Sequence, residues 1–126
     1  PCKRPAPFPQ NTLVAARVAL VGADHPWGPT FAKAVFHAEF GEGRSIGEPA
    51  AVQAILAHLG LDADAILKLA VADANKTRLK ALTEEARSRG VFGAPTFFTE
   101  DGEMFWGNDR LEQAIAWAAG ERPGLR

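Results

Sequence analysis

The residues with most to offer chemically lie together near the end of the chain, in GVFGAPTFFTEDGEMFWGNDRL, residues 90–111. The run holds no Cys, His or Ser, so it supplies neither a nucleophile nor an imidazole base. It supplies backbone groups and a carboxylate. Gly93-Ala94-Pro95 leads straight into a strand-forming stretch, and a cis Ala94–Pro95 bond would turn the Ala94 backbone outward. Ala94 would then offer its N–H and C=O to an extended peptide, as in strand addition. On the far side, Trp106-Gly107-Asn108-Asp109 opens a helix, where free backbone N–H groups bind a carboxylate. The Asp109 side chain can pair with an ammonium group. A ligand with an amide backbone and an amino-acid end would fit both places together. A structural proline turn and an Asp N-cap account for the same residues with no ligand at all.

The other reactive types are dispersed. Cys2 is followed by Lys3 and Arg4, which favour a thiolate, but no second Cys stands at a redox spacing. It reads as an incidental thiol in a flexible lead-in. His25 sits in a Pro-Trp loop, and His37 and His58 fall on helices; none forms a paired ligand motif, so no metal site is expected. Asp62 and Asp64 suit the start of a helix, where the dipole favours acid. Glu84 and Glu85 beside Arg87 and Arg89 read as a solvated charged face.

Positioning these residues falls to a mostly helical chain. Residues 1–9, with Pro at 1, 5, 7 and 9, form an extended lead-in because Pro lacks an N–H and restricts its predecessor. Helices are expected over 11–21, capped by Asn11 or Thr12, and over 29–40, with Pro29 in the first turn. GEGRSIG reads as a loop. Further helices are expected over 48–59, stopped by Gly60, from Asp62 onward, and over 75–89, with Leu79, Leu82 and Ala86 facing the core and Gly90 ending it. The pattern then changes to a hairpin: APTFFTE, an Asp-Gly turn, EMFWG. Residues 109–119 close as an amphipathic helix carrying Leu111, Ile115 and Trp117. A two-stranded hairpin is marginal alone, and the layout looks like a sheet with strands missing.

The totals bound the class. The 126 residues make one domain's worth of chain, 47% hydrophobic, long enough to bury a core. A net charge of −1 gives no footprint for nucleic acid or an anionic membrane. One Cys excludes a disulfide framework and fits a reducing compartment, the cytoplasm. The Pro-rich start cannot be a signal peptide, and no apolar run approaches a membrane span. The only Met is Met104, so a processed or partial chain is expected.

FGAPTFF with WGNDRL at this separation, PAPFPQNTLVAARVAL near the start and AVFHAEFGEGRSI after it resemble the 2-hydroxychromene-2-carboxylate isomerases. These belong with kappa-class glutathione transferases in the DsbA-like branch of the thioredoxin superfamily. The resemblance covers nearly the whole chain. It implies an α/β, mostly helical, incomplete thioredoxin-like (DsbA-like) fold: lead-in and helical insertion over 1–89, then the C-terminal ββα part over 90–126. The family's first βαβ unit, which carries the Ser or Cys facing the glutathione sulfur, has no counterpart here, and Cys2 does not replace it, so no catalytic residue is assigned. Glutathione is the implied cofactor. Ala94 before Pro95 would hydrogen-bond its cysteinyl backbone, and Asn108 and Asp109, after Gly107, would hold its γ-glutamyl end. Trp106 would wall the site or pack in the core. Phe31 and Phe36 would line an aromatic pocket or pack in the core, with core packing the stronger reading.

The implied reaction is cis-trans isomerisation of an aromatic 2-oxo acid by reversible thiolate addition, in a cytoplasmic homodimer, with this chain a fragment. Two alternatives stand beside it. One is a DsbA-like thiol–disulfide oxidoreductase, distinguished by a Cys-x-x-Cys. The other is a non-catalytic module that folds by pairing with another chain through its hairpin edge.

Overall fold

The structure is a computed structural model, and it describes residues 1–121. The last five positions of the expected 90–126 part lie outside the described residues. The helix-then-hairpin order stands. Helix α1 (Leu13–Gly22), α2 (Gly28–Phe36), a π-helical turn (His37–Gly41), α3 (Pro49–His58), α4 (Ala63–Ala70) and α5 (Asp73–Ser88) precede strands β1 (Thr96–Phe98) and β2 (Met104–Trp106). A short 3₁₀ turn (Asn108–Arg110) then runs into α6 (Leu111–Ala118). The chain divides into two compact units, Pro1–Leu82 and Thr83 onward.

In the first unit the helix ends follow local chemistry. The Asn11 side chain accepts the N–H of Leu13 at 3.1 Å, so it satisfies one of the donors that the first turn leaves open. Asp62 caps α4 by accepting the N–H of Ala65 at 3.0 Å. Gly60, at φ 73°, stops α3: its N–H bonds to Ala57 and that of Leu61 to Leu56. That pairing satisfies two late carbonyls and requires a left-handed residue, which glycine adopts without a Cβ clash.

The core of this unit gathers Val18, Phe31, Ile46, Val52 and Leu56, all fully buried. Ile46 lies inside GEGRSIG, so the loop is pinned to the core by one aliphatic side chain. Helices α1 and α2 meet at a glycine contact: a Cβ on Gly22 would lie 2.9 Å from the Gly28 Cα, and one on Gly28 would collide with the Gly22 carbonyl. On α5, Asn75 donates to the carbonyls of Arg17 and Ala70, both at 3.0 Å.

Several expectations are corrected. The second helix does not continue regularly to 40 but widens into the π turn at His37. The lead-in is docked, not free: the Lys3 N–H donates to the Phe40 carbonyl at 2.7 Å, Phe8 packs edge-on to Phe40, and Gln10 bonds Pro7 and Ser45. Helix α5 has no buried residue, and Leu82 is 44% exposed although its spacing pointed inward. In the second unit the hairpin turn is longer than Asp-Gly alone. Gly102 N–H bonds to Thr99 and Thr99 N–H to Glu103, with Gly102 at φ 85°. Helix α6 buries only Ala114, leaving Leu111 and Ile115 exposed, while Trp117 packs on Phe105 and donates to Asp101 at 2.8 Å.

Candidate functional site

The hairpin brings the two halves of the expected site together. Strands β1 and β2 pair antiparallel with Thr96 opposite Trp106, Phe97 opposite Phe105 and Phe98 opposite Met104. One step beyond that register, the Gly107 N–H donates to the Pro95 carbonyl at 3.0 Å. Residues twelve positions apart in sequence are thereby joined by a hydrogen bond. The Ala94–Pro95 bond is cis. Thr96 Oγ1 donates to the Gly93 carbonyl at 2.6 Å and braces the approach to β1.

Ala94 and Pro95 are both exposed. Neither the N–H nor the C=O of Ala94 has a partner among the described residues. An exposed donor and acceptor on one residue can pair with a peptide backbone. On the other side Gly107 adopts φ 107°, a conformation that suits glycine alone. A Cβ there would also collide with Oδ1 of Asp109, so the Asp109 carboxylate folds back over Gly107. Asn108 and Asp109 open the 3₁₀ turn and are exposed. Among the described residues neither side chain has a polar partner, and neither backbone N–H does. Asp109 therefore does not act as an N-cap here. Two free N–H groups can receive a carboxylate, and the carboxylate beside them an ammonium.

Trp106 is 51% exposed, which settles its position at the surface of this unit. Its indole lies against Gly93, where any Cβ would displace it, and tilts against Phe92 at 5.1 Å. Phe92, 69% exposed, was not singled out by sequence reasoning, although an aromatic residue between Gly90 and Gly93 was a signal for it. Arg89 stacks on Phe98 at 3.7 Å. Phe31 is a core residue at 1% exposure and lines no open site, whereas Phe36 is 63% exposed and stacks on Phe40, so core packing is wrong for it.

Cys2, His25 and the Glu84–Glu85 pair each have surroundings of their own. Cys2 is exposed in the first unit, its thiol directed to the Lys3 carbonyl at 3.8 Å. His25 stacks on Trp27 at 5.7 Å. Glu84 and Glu85 pair with Arg87 and Arg89 on the surface of α5 and the residue after it. Among the described residues no group of three His, Cys, Asp or Glu could hold a metal ion, and no helix is long and apolar enough to cross a membrane.

The chain is similar to several known proteins. A 2-hydroxychromene-2-carboxylate isomerase of Sphingobium xenophagum is 32% identical over 89% of this chain and 56% of its own length. One from Pseudomonas sp. (strain C18) is 37% identical over 70% of this chain and 42% of its own. A solved 2-hydroxychromene-2-carboxylate isomerase superposes with a TM-score of 0.73 at 30% identity, over 95% of this chain and 57% of that one. The chain thus spans about half the length of the relatives it matches. The DSBA-like thioredoxin domain profile matches residues 1–115. With that match, and a mostly helical fold ending in hairpin and helix, the chain belongs to the DSBA-like thioredoxin domain family.

Proposed function

We propose that residues 94–109 form the glutathione-binding part of a glutathione-dependent cis-trans isomerase acting on an aromatic 2-oxo acid of the 2-hydroxychromene-2-carboxylate type. The observation that carries the reading is the set of unpartnered groups at the two ends of the hairpin: N–H and C=O of Ala94, N–H of Asn108 and Asp109, and the Asp109 carboxylate. They match the polar groups of a γ-glutamyl tripeptide: an amide backbone in the middle, a carboxylate and an ammonium at one end. The names of the relatives support the reaction class.

In this reading Ala94 pairs with the cysteinyl backbone, and Pro95, already bonded to Gly107, holds that residue in place. The Asn108 and Asp109 N–H groups take the γ-glutamyl carboxylate, and the Asp109 side chain takes its ammonium. Trp106 walls the groove. Bound glutathione would supply a thiolate that adds reversibly to the conjugated acid, converting a double bond into one that rotates. The residues of this site bind and orient; no nucleophile is assigned among them. The homodimer and the cytoplasmic setting expected for the family belong to the same proposal.

The test is calorimetric titration of glutathione into the chain and into Asp109→Ala. Binding to the wild type is expected, weakened roughly tenfold or more in the variant, as for loss of a charged hydrogen bond. No binding to the folded wild type, or equal binding to both, would sink the assignment.

A further inference from the structure

The first unit holds a second feature that nothing in the hairpin site uses. The π turn and the loop after it bring together His37, Glu42 and Arg44. The wide turn sets their backbone: the Glu42 N–H donates to the His37 carbonyl at 3.0 Å, and the Arg44 N–H to the Ala38 carbonyl at 2.8 Å. Single π turns recur at functional sites because they re-aim side chains without breaking the helix. Gly41 completes the arrangement. A Cβ there would lie 2.7 Å from Nδ1 of His37, so the missing side chain gives the imidazole its seat. From that seat His37 Nε2 stands 3.4 Å from Glu42 Oε1, and Glu42 Oε2 accepts from Arg44 Nη1 at 2.9 Å.

This row of side chains borders a cavity of about 420 Å³, lined also by Ala34, Ala38, Ala54 and Ile55, with His58 of α3. The volume falls in the range of small-molecule pockets, roughly 300–1,000 Å³. Half of the lining is apolar and reaches the core, since Ala38 and Ile55 are buried. The polar half is rich in donors. Arg44 spends one nitrogen on Glu42 and keeps its other N–H groups without a partner among the described residues. His58 has no polar partner among them either. An imidazole carries at least one N–H in either form, and guanidinium carries five. The carboxyl in the lining, Glu42, is held below its ordinary value of 4.5 by its hydrogen bond from Arg44, helped by the Arg44 charge.

We infer that this cavity is a binding site for a small organic monocarboxylate with a flat apolar body. Arg44 anchors the carboxylate through its unused edge, His37 and His58 add N–H donors, and the alanine and isoleucine walls take the hydrocarbon. Glu42 orients Arg44 and His37, and its charge disfavours a phosphate dianion. No residue of 90–109 takes part, so the site stands or falls independently of the glutathione reading.

The probe is benzoate, titrated into the full chain while the imidazole resonances of His25, His37 and His58 are followed by NMR, each assigned by a His→Gln variant. His25 lies outside this cavity and serves as an internal control. Saturable shifts are expected at His37 and His58 and not at His25. Arg44→Gln should weaken binding roughly tenfold or more, as for a lost charged hydrogen bond. Ala54→Leu, at an exposed position of α3, should block the cavity while leaving the fold intact. Benzamide and inorganic phosphate should each bind at least about tenfold more weakly than benzoate. The inference is overturned by the absence of saturable shifts in the folded wild type, or by equal shifts at His25. It is also overturned by unchanged binding in Ala54→Leu or a folded Arg44→Gln, or by benzamide or phosphate binding as well as benzoate.

Discussion

At the scale of single residues, a few groups decide what each unit can offer. Gly107 is one: its backbone conformation and its lack of Cβ are both needed for Asp109 to fold back beside two free N–H groups. Asp24 is another, in a structural role. Arg78 donates to it twice, at 2.5 and 3.2 Å, and ties the end of α1 to α5. Hydrogen bonding from Arg78, then its charge, holds the Asp24 carboxyl below the ordinary value of 3.8. A carboxyl whose folded value is depressed stabilises the fold above its unfolded value and loses that contribution as pH falls through the folded one. Asp24→Asn should therefore be less stable than wild type at neutral pH, and the difference should close below about pH 3.8. The effect is modest, because both side chains are largely in water. Urea unfolding at several pH values checks this, and a gap that persists undiminished in acid would refute it.

At the scale of elements, packing at α1–α2 is the tightest constraint. Gly22 and Gly28 bring two backbones to within a distance that no side chain tolerates. Gly28→Ala should destabilise the chain by about 1–3 kcal/mol, as overpacking does. Thermal or urea unfolding measures it; a neutral result would mean that the helices separate at no cost. The elements were largely legible beforehand. Capping side chains, Pro29 in a first turn and glycine stops marked the helices, because these signals act within a few residues. The π turn was not legible, since HAEFG carries the same apolar spacing as the helix before it and the wider turn depends on bonds to Glu42 and Arg44 beyond it. The face of α5 was misjudged, and that of α6 left open, for a related reason. Leu82, Leu111 and Ile115 recur at inward spacing, yet spacing states only that an apolar face exists and not that anything covers it.

At the scale of the whole molecule, the largest apolar core lies in the first unit, among residues 15–70. Phe31 and Phe36 separate its contribution from that of the surface. Both are helical aromatics five positions apart, one 1% and the other 63% exposed. Phe31→Ala should cost about 3–5 kcal/mol and Phe36→Ala within about 0.5 kcal/mol. Denaturant unfolding followed by far-UV circular dichroism distinguishes them, and equal losses would contradict the burial. The second unit is thinner, with Phe105 and Ala114 as its buried apolar residues among those described. Its hairpin matters less as a core than as a frame for Ala94 and Asp109.

The sequence by itself determined the order of elements, several of the helix caps and stops and the identity of the hairpin residues that offer backbone groups, because propensity, capping and turn chemistry act locally. It also carried the family resemblance, through FGAPTFF and WGNDRL. Only the tertiary structure decided that Pro95 and Gly107 share a hydrogen bond, that Asp109 lies over Gly107 without capping the turn, and that the lead-in docks through Lys3 on Phe40. It alone set His37, Glu42, Arg44 and His58 around one cavity. Most of these depend on contacts between residues distant in the chain, and no local rule fixes which unpartnered groups will meet.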